Sequence, residues 1–215
     1  MVQKTLFFRV NRLNKLEIKQ LAMPALGPVD FAVAESETVT LTGPSGSGKS
    51  LLLRAMVDLL PHSGEVCFAG QCCEQTHPVI WRAQIGLLPA ESFWWSDRVG
   101  DHFPPLSDEQ LRWFGRLDLD RAVLDWQVSR CSTGERQRLA LLRLLCHGPR
   151  VLLLDEATAN LDQAMTLQVE QLIKTYQQLN RAPVLWVSHD MAQTGRIADR
   201  QLRLGRDGQI TEVRV

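Results

Sequence analysis

The chain has 215 residues, and its 24 Lys and Arg residues balance 24 Asp and Glu residues, so the formal net charge is zero. This length suits one domain with a full hydrophobic core and at most a small subdomain. The neutral balance argues against broad electrostatic binding to nucleic acid, which requires a basic excess or a basic face. The sequence contains no apolar run of roughly 18 residues, the length of a membrane span, and its N-terminus lacks the features of a secretory signal.

The five cysteines form an odd set without Cys-x-x-Cys spacing, and two of them, Cys72 and Cys73, are adjacent. Such a set is typical of a reducing compartment. We therefore expect a globular protein of the cytosol, with neither a disulfide framework nor a zinc site.

Strand and helix patterns alternate in the first part of the chain. Residues 37–43 carry β-branched side chains that run into a glycine, which is the pattern of a buried strand. Residues 48–60 have a helical pattern that a proline stops. Short strands are predicted within residues 64–71 and 85–89. Residues 90–130 contain four tryptophans, a Pro-Pro pair and two helical patterns, and they predict a small helical insertion.

The last part of the chain continues the alternation. Residues 149–156 include a near-continuous apolar run, typical of a strand buried on both faces of a parallel sheet. A helix is predicted over residues 163–179 and a strand within residues 182–190. Residues 201–213 contain the pair Asp207-Gly208, a strong signal for a hairpin turn. This order of elements predicts an α/β sheet.

Residues 43–50, GPSGSGKS, match the phosphate-binding motif Gly-x-x-x-x-Gly-Lys-Ser/Thr completely, between a predicted strand and a predicted helix. Glycines let such a loop direct its backbone N–H groups at phosphate oxygens, and the helix N-terminus adds its positive dipole end. We expect Lys49 to reach the β- and γ-phosphates and Ser50 to be a ligand of Mg²⁺. The predicted nucleotide-binding residues here are Gly43, Pro44, Ser45, Gly46, Ser47, Gly48, Lys49, Ser50 and Leu51.

Charged residues follow two of the predicted strands. Asp155 lies at the carboxyl end of a buried strand, where ligands of open α/β sheets bind, and it can hold the Mg²⁺ that Ser50 contacts. Glu156 is suited to act as general base for an attacking water. His189 ends another apolar strand and should reach the same edge, although a purely structural role is the alternative for an isolated histidine. The predicted catalytic residues are thus Glu156, His189 and Lys49.

Ser132 and Glu135 lie three residues apart ahead of an apolar helix, which is the spacing of a capping box. Together with the motifs above, they resemble the nucleotide-binding subunits of ATP-binding cassette (ABC) transporters over about residues 16–213. Residues 131–135, CSTGE, stand where the family has its Leu-Ser-Gly-Gly-Gln signature, and residues 159–162, ANLD, match its D-loop. Within the family the chain looks like small bacterial stand-alone subunits, some of them assigned to iron export.

The resemblance implies a P-loop NTPase fold of the ABC type, with a mostly parallel core sheet, an antiparallel β edge and a small helical subdomain. Residues 1–215 would form one domain, with a RecA-like core and β edge over about 1–89 and 133–215. The helical subdomain would span about 90–132. Residues 1–15 either add an edge strand or form the first strand.

The resemblance also implies an ATPase that powers transport through separate transmembrane permease subunits on the cytoplasmic face of the inner membrane. Its cofactors would be ATP and Mg²⁺, and nucleic acid is not an expected partner. In the family, the signature meets the γ-phosphate of an ATP bound by the opposite subunit. Ser132, Gly134 and the D-loop residue Asp162 would therefore contact nucleotide across a symmetric homodimer.

Three departures from the family pattern lead to expectations of their own. Thr133 and Glu135 replace a glycine and a glutamine of the signature, which predicts lower turnover. Ala90 replaces the Q-loop glutamine, so Mg²⁺ should have fewer protein ligands unless Glu91 substitutes. The family stacks adenine on an aromatic residue before the second strand, but residues 1–42 contain neither Tyr nor Trp. We therefore expect poor discrimination between ATP and GTP, with Phe31 in the core.

Two assignments stay open at this point. Phe93–Trp95, with Arg98 and Asp101, form either a socket for a helix of the transmembrane subunit or the core of the helical subdomain. Trp113 and Trp126 favour a core position. Cys131 either lies at the dimer interface, where bound ATP would shield its thiol from modification, or is a buried structural cysteine.

Two other functions compete with the transporter subunit. An ABC ATPase of repair or translation usually carries a long coiled-coil insertion, for which the roughly 40 residues between Ala90 and Ser132 leave no room. A weakly hydrolysing regulatory subunit would explain the departures, but the presence of Glu156 and His189 argues against it.

Overall fold

Two β-sheets carry the fold in the computed structural model, which describes residues 14–24 and 26–213. The strands are β1 Leu16–Met23, β2 Leu26–Val33, β3 Thr38–Thr42, β4 Ser63–Phe68, β5 Gln71–Cys72, β6 Ile85–Leu88, β7 Val151–Asp155, β8 Val184–Val187, β9 Arg200–Leu204 and β10 Ile210–Val213. The α-helices are α1 Lys49–Met56, α2 Pro78–Gln84, α3 Asp108–Arg116, α4 Thr133–Cys146, α5 Gln163–Asn180 and α6 Met191–Ile197. The two alternatives for residues 1–15 fall almost entirely outside the described residues.

The larger sheet has the strand order β10-β9-β3-β8-β7-β6, and the smaller has the order β2-β1-β4-β5. Neighbouring strands of the larger sheet are parallel except β10, which pairs antiparallel with β9. The smaller sheet is antiparallel throughout. The predicted α/β fold with a mostly parallel core sheet and an antiparallel edge is confirmed.

Two hydrophobic cores lie on opposite faces of the larger sheet, because successive residues of a strand point to opposite sides. Leu153 and Leu185 belong to the core shared with α1 and the smaller sheet. Leu152 and Trp186 belong to the core shared with α3, α4 and α5. All five residues of β7 are buried for this reason, as the apolar run predicted.

The segment predicted as a helical insertion contains one α-helix rather than two. A capping box between Ser107 and Gln110 starts α3. The second helical pattern forms only short 3-10 segments, Arg121–Asp125 and Val128–Arg130. The Asp120 side chain caps the start of the first segment by accepting a hydrogen bond from Ala122 N at 2.7 Å.

The expectation of no disulfide is wrong, because Cys67 and Cys72 are joined by one in the β4–β5 hairpin. Ala69 and Gly70 form the two-residue turn, and both have positive φ angles, 52° and 83°. Such a turn fixes the register of a hairpin, and here it places Cys67 directly opposite Cys72. Alanine rarely adopts this conformation, so the sequence does not signal the turn.

The predicted C-terminal hairpin is confirmed. β9 and β10 pair from Ile210 and Leu204 outward, and the turn between them contains Gly208 at a φ of 74°. The side chain of Asp207 accepts a hydrogen bond from the backbone N–H of Gln209 at 3.2 Å. Within the described part of the chain, no helix has the length and apolar character needed to cross a bilayer.

Candidate functional site

The glycine-rich loop connects the buried strand β3 to α1 at the carboxyl edge of the larger sheet. Gly43 has a φ of 147°, and a side chain there would collide with the backbone carbonyl of Leu204. Gly46, at a φ of 76°, faces open space within the described structure. Gly48 precedes α1 at a φ of 99°, and the first turn of this helix receives no side-chain cap from the described residues. The loop therefore leaves N–H groups at the start of α1 available to a bound anion.

Lys49 lies folded over this loop. Its Nζ donates hydrogen bonds to the carbonyl oxygens of Gly43 (2.9 Å) and Pro44 (3.0 Å). Burial lowers the pKa of the Lys49 amino group, and the carboxylates of Glu156 and Asp155 partly oppose that shift. A cation beside a glycine-rich loop is the arrangement that a polyphosphate requires.

The end of β7 brings carboxylates to the same edge. Asp155 is buried and is near enough to Lys49 to influence its charge. Glu156 has a φ of 51°, so the chain turns sharply directly after the strand. Its Oε1 lies 3.2 Å from Nε2 of His189, which follows β8. Glu156 and His189 are therefore brought together, as predicted from the two strand ends.

A cavity of about 210 Å³ is bordered by the phosphate loop, the start of α1 and the residues that follow β7 and β8. It is lined by Ser45, Gly46, Gly48, Lys49, Ser50, Leu51, Glu156 and His189. Three further residues of the predicted phosphate loop, Gly43, Pro44 and Ser47, are not part of its lining. Ser47 Oγ is buried and has no hydrogen-bond partner among the described residues, so a polar group of the loop is left without a partner.

The residues present fit Mg²⁺ and a nucleoside triphosphate. The Ser50 hydroxyl and the buried Asp155 carboxylate are hard oxygen donors of the type that Mg²⁺ prefers. Ala90 and Glu91 are both exposed and do not line the cavity. The suggestion that Glu91 replaces the missing glutamine therefore has no support in this geometry.

The predicted capping box at the start of α4 is present in full. The Ser132 hydroxyl accepts a hydrogen bond from Glu135 N at 3.2 Å, and the Glu135 carboxylate accepts one from Ser132 N at 2.8 Å. These bonds from the backbone and side chain of Ser132 lower the pKa of the Glu135 carboxyl, so it is ionised at neutral pH. A negative charge thus lies at the start of α4, where the family has a neutral glutamine.

Ser132, Gly134 and Asp162 do not line the cavity of their own chain. Ser132 is exposed at the start of α4, and a Cβ on Gly134 would lie 3.7 Å from the carbonyl oxygen of Asn160 in the D-loop segment. Asp162 caps α5 by accepting a hydrogen bond from Met165 N at 2.8 Å. Its predicted contact with nucleotide stays a prediction.

Cys131 is buried, and burial raises the pKa of its thiol. Within this chain it matches the alternative of a structural cysteine rather than an accessible interface probe. Phe31 is partly buried against the core between the two sheets, as expected.

Sequence reasoning missed two buried glutamines that position the site. Gln137 of α4 donates to the carbonyl oxygens of Glu156 and Ala157, both at 3.4 Å. Gln193 of α6 accepts a hydrogen bond from Ser188 Oγ at 2.8 Å, directly before His189. An amide on the apolar face of a helix is the signal that could have identified Gln137.

The aromatic segment after β6 divides between surface and core. Phe93 and Trp95 are 76% and 63% exposed, whereas Trp94 is partly buried against the core around α3 and α4. The guanidinium of Arg143, on α4, lies 4.6 Å from the ring centre of Trp94 and 5.1 Å from that of Trp95. Trp113 is buried, and Trp126 packs partly buried against the same core, as expected.

Comparison with known proteins gives a consistent result. A family model described as "ABC transporter" matches residues 26–159, more than half of the chain. The "Probable iron export ATP-binding protein FetA" of Escherichia coli (strain K12) is 34% identical over 175 residues, which cover 77% of this chain and 78% of that protein. The "Phosphate import ATP-binding protein PstB" of Aeropyrum pernix is 34% identical over 207 residues, covering 86% and 81% of the two chains.

A solved structure, "Structure of a bacterial Atm1-family ABC exporter with ATP bound", superposes with a TM-score of 0.81 at 23% identity. The match covers 95% of this chain and 39% of that one, and at this identity it shows the fold alone. With its complete phosphate loop, its strand-end Asp155 and Glu156, and these relatives, the chain belongs to the ABC transporter family of ATP-binding proteins.

Proposed function

We propose that this chain is the ATP-binding and hydrolysing subunit of an ABC transporter. The observation that carries the proposal is the shared cavity of the phosphate loop, Glu156 and His189. The named relatives are ATP-binding subunits of importers and exporters, which favours a transporter subunit over an ABC ATPase of repair or translation. The pairing of Glu156 with His189 at 3.2 Å favours hydrolysis over a purely regulatory role.

Each residue of the site has a task in the proposed hydrolysis. The backbone N–H groups that line the cavity between Ser45 and Leu51, together with the Lys49 ammonium, bind the phosphates of ATP. Ser50 and Asp155 would hold Mg²⁺, which neutralises phosphate charge when bound. Glu156 accepts a proton from the attacking water. His189, 3.2 Å away, holds the Glu156 carboxylate in position for that transfer.

The working unit of the proposal is a head-to-tail homodimer with two ATP molecules at its interface. Ser132 lies exposed at the start of α4, outside the cavity of its own chain, so its hydroxyl is available to a second chain. Gly134 offers a backbone that a phosphate can approach closely, and Asp162 lies in the neighbouring D-loop. A symmetric pair would place each signature against the phosphate loop of its mate.

The proposed membrane partner is a separate permease subunit that docks on Phe93 and Trp95. Both rings are exposed beside the Q-loop position, and the Arg143 stack holds Trp95 in place. Exposed aromatic residues are typical anchors of protein interfaces. Docking there would hold the subunit at the cytoplasmic face of the inner membrane.

The Glu156→Gln variant tests the function. Loss of a general base should reduce phosphate release from ATP by at least about hundredfold. The same variant should form a stable dimer with ATP and Mg²⁺, measured by sedimentation velocity. Equal turnover in variant and wild type would leave only a regulatory role, and a variant that stays monomeric with ATP would contradict the proposed dimer.

A further inference from the structure

A second cavity, of about 380 Å³, lies beyond the C-terminal end of α1, far along that helix from the phosphate loop. Among its lining residues are Asp58, His62, Cys73 and Glu74. Asp58 follows α1, His62 precedes β4, and Cys73 begins a 3-10 turn after β5. Two segments, the α1–β4 loop and the turn after β5, thus bring chemically distinct side chains to one cavity.

The donor atoms of three of these residues converge. A carboxylate oxygen of Asp58, a ring nitrogen of His62 and the Cys73 sulfur all lie within 4.8 Å of one another. Tetrahedral zinc sites use these three ligand types, at bond lengths of about 2.0 to 2.3 Å. Small side-chain rotations would bring the three atoms onto one ion.

The surroundings of the cluster favour a cation. Nδ1 of His62 is shielded from solvent and has no hydrogen-bond partner within the described residues. Asp58 and Glu74 bring two carboxylates to the cavity. Arg82, 3.6 Å from the Asp58 carboxylate, offsets only part of this negative charge.

We propose that Asp58, His62 and Cys73 bind a divalent transition-metal ion of the Zn²⁺ class, with water completing the coordination. The Cys73 thiol releases its proton to solvent when the ion binds. The site differs from the predicted Mg²⁺ site, since a thiolate and an imidazole suit zinc and oxygen ligands suit magnesium. It also reverses the expectation, drawn from cysteine spacing, that the chain has no zinc site.

The test is a titration of the nucleotide-free protein with Zn²⁺ in competition with a chromophoric chelator, without reductant so that the Cys67–Cys72 disulfide stays intact. We expect one equivalent to bind. Cys73→Ser and His62→Gln should each weaken affinity at least about tenfold, as loss of a ligand exceeds the effect of an outer-shell change. Co²⁺ in place of Zn²⁺ should give a thiolate-to-cobalt charge-transfer band in the wild type and none in Cys73→Ser.

Two further variants keep the test decisive if Cys73→Ser folds poorly. Asp58→Asn should also weaken binding, and it suits the backbone because Asn tolerates the positive φ of 58° at this position. Cys146→Ser, which alters another buried free cysteine, should bind as the wild type does. A wild type that binds no Zn²⁺, a Co²⁺ spectrum without the thiolate band, or unchanged affinity in Asp58→Asn and His62→Gln would overturn the proposal.

Discussion

The first turns of α1 and α4 are both proposed to hold phosphate, yet they are built in opposite ways. α1 begins after Gly48 without a side-chain cap from the described residues, and Lys49 lies beside its free N–H groups. α4 begins with a complete capping box, in which the ionised Glu135 occupies the N–H group of Ser132. The start of α1 can therefore bind an anion within one chain. At the start of α4, by contrast, a partner's phosphate would have to compete with the capping hydrogen bonds.

Removal of the Lys49 ammonium at the start of α1 should give the largest effect, a loss of ATP affinity. Lys49→Ala removes charge-assisted hydrogen bonds worth up to about 3 kcal/mol, so we expect roughly hundredfold weaker ATP binding by the monomer. Equilibrium binding of a fluorescent ATP analogue with Mg²⁺ measures this. The matched variant Ser132→Ala should bind ATP as tightly as the wild type does. An equal loss of ATP affinity in both variants would contradict the proposed difference between the two helix starts.

Removing the negative charge of Glu135 at the start of α4 should strengthen the ATP-bound dimer. Glu135→Gln keeps a capping side chain but removes a charge that opposes the partner's phosphate at each of two sites. Like charges about 4 Å apart cost about 1 kcal/mol in water, so the ATP-bound dimer should become about tenfold tighter or more. Sedimentation equilibrium in the Glu156→Gln background checks this. Glu109→Gln, in the exposed first turn of α3, is the control, and no change in Glu135→Gln would show that its charge does not face the phosphate.

A smaller effect is expected where Ala90 replaces the Q-loop glutamine. Ala90→Gln restores the glutamine that is a Mg²⁺ ligand in the family, and it should lower the Mg²⁺ concentration for half-maximal ATPase by roughly threefold, equivalent to under 1 kcal/mol. Ala90→Leu adds bulk without an oxygen and should leave the Mg²⁺ titration unchanged. Identical titrations for all three proteins would count against any role of this position in metal binding.

The smallest effect concerns the base of the nucleotide. Stacking on an aromatic side chain is worth about 1–3 kcal/mol per base, and no Tyr or Trp precedes β3 to provide it. We therefore expect ATP and GTP to compete for the cavity with affinities within about threefold of each other. A strong preference for ATP in competition binding would refute this.

The sequence predicted those parts of the molecule that depend on local rules. The phosphate loop and the cap of Ser132 by Glu135 follow from spacing alone, and both are present. The disulfide could not be predicted, because it depends on a left-handed Ala69 in a turn. The cluster of Asp58, His62 and Cys73 depends on the α1–β4 loop and the turn after β5, which only the folded chain brings together. Gln137 shows a third limit, since its contact with the Glu156 segment requires the packing of α4 against β7.

The stack of Arg143 on Trp94 and Trp95 has a mechanical consequence. Arg143 is eleven residues along the chain from Ser132, so about 16 Å of continuous helix joins the aromatic surface to the signature. A displacement of Trp95 on docking of a permease would therefore be transmitted through α4 as a rigid helix, without an intervening flexible loop. In the proposed complex, the membrane partner and the nucleotide of the second chain would therefore act at opposite ends of the same helix.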